Sequence, residues 1–429
     1  MPFATPMARY LTRTAVAVVG SLLFASSAYT ESEASKPARS APTEETLLSG
    51  AKSPESDFRV ATGFRLNQNT ILLEAQPKGA SSVESFVVDS GAPMTIAPGL
   101  ARELGLQTLA TVELAGPEGG HLSVPVTRIP GLNIAGLKFH DVGAVVDWVE
   151  PPNPLACLST AGLLGASLLQ AAIWQIDFQA QEIVITNSLS QLPGLASAMK
   201  IPFKRSDAAG SPRISVGVSD ADDVSLLLDL GFNGSIAMPL ALLEKAGDRI
   251  ADTAPTEEGH SSSTVFGQKS SSARIARLSE LRIGDLRLKD FPVVTGTAVS
   301  DFHVGIDFLR HFRVTVDWLH DDLYLELREK TGALYPDFAT YGFKPQLRDE
   351  QLVVGAIWRG SAADRAGMSL GDPIVKIDGH DTVAADFSTL CAMSDVVGLF
   401  ARHDAPVSVT WIHDGQQKTS QIAKTQLLQ

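Results

Sequence analysis

Between Phe58 and about Leu327 the apolar residues come in short runs, among them Thr70 to Leu73, Phe86 to Val88, Ile183 to Ile185 and Leu226 to Leu228. Gly, Pro, Asn and Asp separate the runs. Apolar runs of this length bounded by turn formers predict strands. Only brief helical patches are expected, near Gly99 to Leu104 and Pro239 to Ala246. The rhythm changes near residue 335. Gly360 to Gly367 and Leu370 to Gly379 read as turn, short helix, turn, strand and turn. Phe387 to Phe400 predicts a helix and Val407 to Ile412 a closing strand, with Asp414-Gly415 as a hairpin turn.

The start of the chain follows neither rhythm. Arg9 and Arg13 precede an apolar run, Ala15 to Phe24, and then the small residues Ala25 to Ala28. This pattern predicts a secretory signal over residues 1–28, cleaved after Ala28. The run is shorter than the roughly 20 residues of a spanning helix. The expected product has no stable membrane span and is exported, periplasmic or secreted. Residues 29–57 are rich in Ser, Ala, Pro and Glu without apolar periodicity, and predict a flexible tether.

The central region repeats itself. Asp89-Ser90-Gly91 recurs 140 residues later as Asp229-Leu230-Gly231. The segments beginning at Gly165, Ile176 and Ile183 recur at the same offset, at Gly305, Val316 and Leu323. Four matches in one register predict two copies of one all-β unit, over residues 58–190 and 201–330, joined by residues 191–200.

Composition narrows the function classes. Of 429 residues 44% are hydrophobic and 19% charged, which suits a globular protein of two to four domains. The net charge of −13 becomes −15 once the signal's two arginines are removed, so nucleic acid is not an expected partner. Cys157 and Cys391 lie in different predicted domains. They are read as two buried thiols, with a disulfide left open by an oxidising compartment. His303, His311 and His320 cluster in sequence but lack spacing to complete a zinc ligand set, and no metal or other cofactor is expected.

The chemistry points to the repeated acid. Asp89 ends an apolar strand, and Ser90 and Gly91 allow a tight turn after it. If the copies pack about a pseudo-two-fold axis, Asp89 and Asp229 meet there. Two carboxyls held together share one proton. One can take a proton from water while the other gives one to a carbonyl. Asp177 and Asp317 also repeat, and predict a shared structural turn.

Phe86-Val87-Val88-Asp89-Ser90-Gly91-Ala92 resembles the motif of the retropepsin-like aspartic peptidases. Leu163-Leu164-Gly165 and His303-Val304-Gly305 resemble that family's later apolar-apolar-Gly strand. The resemblance covers roughly residues 58–328 and is similar to bacterial exported peptidases with both lobes on one chain. It implies a mainly β fold of two β-barrel lobes, with Asp89 and Asp229 catalytic and a polypeptide substrate. Ser90, Gly91, Ala92, Gly231, Gly165 and Gly305 would shape the catalytic loops. Flap hairpins would lie at Ala115 to His121 and from Glu258-Gly259-His260 onward. Lobe two departs from the family at Leu230 and Phe232. The alternative reading is therefore a catalytically degraded scaffold that binds peptides as an adaptor.

Residues 335–425 resemble a bacterial PDZ domain through Gly360-Ser361-Ala362-Ala363-Asp364-Arg365-Ala366-Gly367 and Gly371 to Gly379. The resemblance implies a small α+β unit that takes a C-terminal peptide by strand addition. Tyr341, Gly342 and Phe343 would form the loop that receives its carboxylate.

Overall fold

The computed structural model describes residues 43–115, 121–151, 153–264, 267–297, 299–383, 385–397 and 404–428. The predicted signal and the first part of the tether lie outside them. So do Gly116 to Gly120 of the first predicted flap and Gly398 to Phe400 of the predicted last helix.

The chain is mainly β. The short apolar runs become longer strands, because turn formers rather than apolar residues set their limits. Phe86 to Val88 lies within Glu84–Asp89, and Leu226 to Leu228 within Ala221–Leu228. The helical patches form at Pro98–Glu103 and Leu240–Lys245. The first starts with proline inside its first turn, where the missing N–H has no helical partner to lose. Asp414 and Gly415 both take positive φ, 49° and 74°, as a two-residue hairpin turn demands.

The repeat is built as a pseudo-two-fold. Strand Ile173–Asp177 pairs antiparallel with Phe312–Asp317. Ile173 faces Asp317 and Asp177 faces Arg313, so the offset of 140 maps each strand onto the other. The axis passes between Gln175 and Thr315, whose side chains hydrogen bond at 2.9 Å. An eight-stranded sheet belongs to the first copy. A fifteen-stranded sheet crosses the axis, runs through the second copy and ends in the third unit. One hydrophobic core extends through both copies, from Phe64 to Leu334.

Asp177 and Asp317 occupy equivalent turns. Asp177 accepts from the N–H groups of Gln179 and Ala180 at 3.1 Å, and Asp317 from Leu319 and His320 at 3.1 and 3.2 Å. Arg313 and Arg328 add charge to Asp177, at 3.0 and 2.9 Å. Burial opposes ionisation of Asp177, but the turn's N–H groups and the two guanidiniums outweigh it and hold the carboxyl below its usual range.

The third unit has its own core, from Tyr341 to Ile422, with Trp411 among its buried side chains. Helix Phe387–Val397 packs on strand Phe343–Arg348, which is the last strand of the large sheet. The neighbouring strand, Gln351–Trp358, pairs on its other side with Thr256–Thr264 of the second copy. Lys344 meets the buried Glu257 at 2.9 Å across this junction. Arg359 bridges Glu258 and Asp364.

Two expectations change. Cys157 and Cys391 are joined as a disulfide, with Cα atoms 5.5 Å apart. The separation of 234 residues hid this proximity, because it arises only when helix Phe387–Val397 docks beside the 3₁₀ turn Pro154–Cys157. Residues 43–57, expected as tether, are tied to the first copy. Helix Glu44–Leu48 buries Leu47 and Leu48 against Val124, Val126 and Val145. Gly143 makes the room, since a Cβ there would stand 2.2 Å from the Leu47 carbonyl oxygen. Among the described residues no helix is long and apolar enough to cross a membrane.

Candidate active site

Each copy places its acid by the same local device. Strand Glu84–Asp89 runs parallel to Gly162–Gly165, with Asp89 opposite Gly165. Strand Ala221–Leu228 runs parallel to His303–Val304, and the Asp229 N–H donates to the Val304 carbonyl at 3.0 Å. Both glycines support the loops from behind, where a side chain has no space. A Cβ on Gly165 would stand 2.2 Å from Pro93, and one on Gly305 2.2 Å from the Phe232 carbonyl oxygen. The following amides close the frame: Ala166 N–H donates to Ala92 O at 2.7 Å, and Ile306 N–H to Phe232 O at 2.8 Å.

The frames bring Asp89 and Asp229 together at the axis. Their carboxyls hydrogen bond to each other. Gly91 and Gly231 permit this approach. A Cβ on Gly231 would lie 2.3 Å from Asp89 Cγ, and one on Gly91 would lie 3.0 Å from Asp229 Cγ. Asp89 Oδ1 accepts from Gly91 N–H at 2.8 Å. Asp229 Oδ1 accepts from Gly231 and Phe232 N–H at 2.9 and 3.0 Å.

Ser90 braces the two loops. Its fully buried hydroxyl donates to Leu228 O at 2.6 Å and accepts from Leu230 N–H at 2.9 Å. Leu230 has no oxygen with which to return these bonds, and its side chain joins the core instead. The brace is therefore one-sided. A second tie lies nearby: Asn69 donates to Asn233 O at 2.6 Å, and Asn233 donates to Gln68 O at 3.2 Å. Gln68 also donates to Asp395 of helix Phe387–Val397 at 3.1 Å.

The electrostatics follow from this crowding. Both acids keep some accessible surface, yet protein atoms surround their carboxyls. Burial, and then the charge of Asp229, push Asp89 well above the usual carboxylate range. Burial raises Asp229 as well, but His303 and the Gly231 and Phe232 N–H groups oppose it. Such a pair holds one proton over a wide pH range. The arrangement can move one proton in and one out at a single centre. That is what adding water across a carbonyl requires.

In the sequence His303 stands out as the irregular residue of an apolar-apolar-Gly pattern and as one of three histidines around Gly305. The structure sets it beside Asp229, edge-on to Phe232 with ring centres 4.4 Å apart. His311 and His320 go elsewhere, to Glu329 at 3.0 Å and Asp317 at 2.7 Å. Among the described residues no group of three or more His, Cys, Asp or Glu could hold a metal ion.

The predicted carboxylate loop of the third unit is differently employed. Tyr341 and Phe343 are core residues, and the Tyr341 hydroxyl donates to Ala405 O at 2.7 Å. Gly342 takes φ +90°, and its N–H already donates to Thr340 Oγ1 at 3.1 Å. These three residues carry the turn into strand Phe343–Arg348, and the Gly342 N–H does not stand open to a ligand. The first hairpin, Ala110–Ala115 with His121–Ile134, ends the eight-stranded sheet. Its counterpart in the second copy is held by the third unit through Glu257 and Glu258.

No protein-family model matches this chain, and no curated protein matches it.

Proposed function

We propose that the chain is an aspartic-type endopeptidase of the retropepsin-like kind, with Asp89 and Asp229 as its dyad. The observation that carries this reading is the meeting of two hydrogen-bonded carboxyls at a pseudo-two-fold axis, each framed by its own glycine loop. Burial against each other raises the proton affinity of both carboxyls, and acids perturbed in this way cluster at sites that do acid–base chemistry.

The reaction follows from one proton on two carboxyls. Water attacks the carbonyl carbon of a peptide bond. The ionised carboxyl takes a proton from that water while the protonated one gives its own to the carbonyl oxygen. The tetrahedral intermediate then loses its C–N bond: the carboxyl that took water's proton gives it to the departing nitrogen, while the other takes a proton back from a gem-diol hydroxyl as the carbonyl re-forms. Water ends on the new acid and amine, and the dyad again holds one proton. No group on the protein is acylated.

The first copy's hairpin, the last of its sheet, would act as the flap. The third unit offers strand Phe343–Arg348, the last of its sheet, beside helix Phe387–Val397. The unpaired edge of that strand suits an extended peptide added as a further strand. Pro345 removes one donor from the strand, so pairing there is partial. The substrate is an exported or envelope polypeptide, as the predicted signal implies.

The test is to incubate the purified chain with a mixed library of unstructured peptides from acid to neutral pH. Cuts are read by mass spectrometry in ¹⁸O-labelled water. The reading requires internal cuts, each leaving one solvent oxygen on the new carboxyl. A wild type that cuts nothing refutes it. Leu230, buried where the other lobe has a hydroxyl, favours the second reading, a peptide-binding adaptor on a peptidase scaffold. Leu230→Thr separates the two. Cleavage that appears only in this variant identifies a scaffold that has lost its activity.

A further inference from the structure

Around the dyad the two lobes are nearly superposable in their backbone bonds. Each acid receives two N–H groups from its own loop, Gly91 and Ala92 for Asp89 and Gly231 and Phe232 for Asp229. Among the equivalent pairs whose side chains differ are Ser90 and Leu230, Ala92 and Phe232, and Leu163 and His303. Of these, only the last changes the charge that Asp89 or Asp229 can face.

His303 is held in a defined state. Its Nδ1 lies 3.1 Å from the carbonyl oxygen of Asp301. A carbonyl only accepts, so Nδ1 carries a hydrogen and Nε2 is the atom that gains or loses the proton. The Phe232 ring stands at 88° to the imidazole and fixes its plane. The strand pairing beside Leu227 and Leu228 fixes its depth. Three charged groups face it: Asp229 from the catalytic loop, Asp301 from its own segment and Arg213 from strand Pro212–Val218. Arg213 and Asp301 are ion-paired with each other, which leaves Asp229 as the charge not already balanced.

We propose that His303 is a positioning residue for the dyad, whose imidazolium holds the negative charge on Asp229 and so leaves the shared proton on Asp89. This rests on the hydrolytic reading and extends it. Asp229 becomes the base that takes the proton from water, and Asp89 the acid that protonates the carbonyl oxygen. Lobe one, with Leu163 in this place, has no means to do the same for Asp89. Burial works against the imidazolium and lowers the proton affinity of His303, while Asp229 raises it. The preferred charge state is therefore confined to acidic conditions.

Two measurements decide the matter. The first is a histidine-ring NMR titration of the full chain as wild type and as Asp229→Asn, with the His303 signal identified by its loss in His303→Gln. Removing the Asp229 charge should lower the His303 midpoint by about one pH unit. An unmoved midpoint overturns the proposal. This result is readable whether or not the chain cuts peptides, so failure of the hydrolytic reading does not obscure it. The second is the pH profile of cleavage in His303→Leu and His303→Gln. Both lack the charge, so in both the acid limb should move to higher pH by about one unit, whatever the height of the profile. Acid limbs that stay at the wild-type position would make His303 a packing partner of Phe232 and nothing more.

Discussion

Replacing Ser90 with alanine removes one oxygen and both hydrogen bonds that it makes across the lobes. The hydroxyl donates to Leu228 O at 2.6 Å and accepts from Leu230 N–H at 2.9 Å. Ser90 has no accessible surface, so water does not stand in for the lost oxygen. A buried polar group left without a partner costs about 1–3 kcal/mol. With one donor and one acceptor affected, the expected loss is about 2–6 kcal/mol. For a urea dependence of about 3 kcal/mol per molar, the unfolding midpoint should fall by about 1–2 M. Hydrogen exchange gives the local readout, since the Leu230 amide should exchange faster while amides of the Ile374–Ile377 strand keep their protection. Ser90→Thr retains the hydroxyl and should lose little. If Ser90→Ala leaves both the midpoint and the Leu230 exchange rate unchanged, the brace does not hold the lobes together.

Gly231→Ala puts a Cβ 2.3 Å from Asp89 Cγ, while Gly91→Ala meets Asp229 Cγ at 3.0 Å. The first should lower kcat by about 10²-fold or more and the second by less; the reverse order would contradict the loop geometry. Both dyad carboxyls have raised proton affinity in the folded state. Their stabilising contribution is therefore complete below the unfolded aspartate value and is lost as pH rises through the folded one. Asp89→Asn should accordingly raise the melting temperature relative to wild type more at pH 7 than at pH 4, and an equal change at both would refute the shared burial. Cys391→Ser opens a cross-link between residues 234 apart, for which chain entropy sets an upper loss of about 5 kcal/mol. Limited proteolysis between the second copy and the third unit should quicken, and an unchanged digestion rate would mean that the sheet pairing alone holds the unit.

The two-copy architecture was legible because it was written twice. The offset of 140 residues aligned the acid, the glycine and the following strands, and the same offset relates the paired strands at the axis. The short strands were legible because Gly, Pro, Asn and Asp punctuate them. Contacts with no period along the chain were not legible. Leu47 and Leu48 lie in a segment with a tether's composition, and only the hollow at Gly143 shows where they pack. Cys391 sits on a helix whose place beside Pro154–Cys157 no local pattern specifies. The pairing of Glu257 and Glu258 with Trp358 and Ile357 joins two elements that were read as separate domains.

The site divided in the same way. Asp89, Asp229, Ser90 and the four glycines come together at the axis, because the pattern that singled them out is itself a backbone geometry. Gly342 shows the limit of a short motif. Its positive φ serves the turn that the sequence suggested, but Thr340 has taken the N–H that a ligand would need. His303 shows the opposite case. An irregular residue in an apolar pattern is the position where sequence and fold disagree, and such positions gather at sites that do chemistry.

The decisive measurement is the rate at which wild type, Asp89→Asn and Asp229→Asn cleave one peptide at acidic pH, side by side in the full chain. If the two carboxyls work as one proton-sharing pair, each variant loses at least about a thousandfold, and the double variant is no slower than either single one. If either variant cuts as fast as wild type, the pair at the axis is not the catalyst.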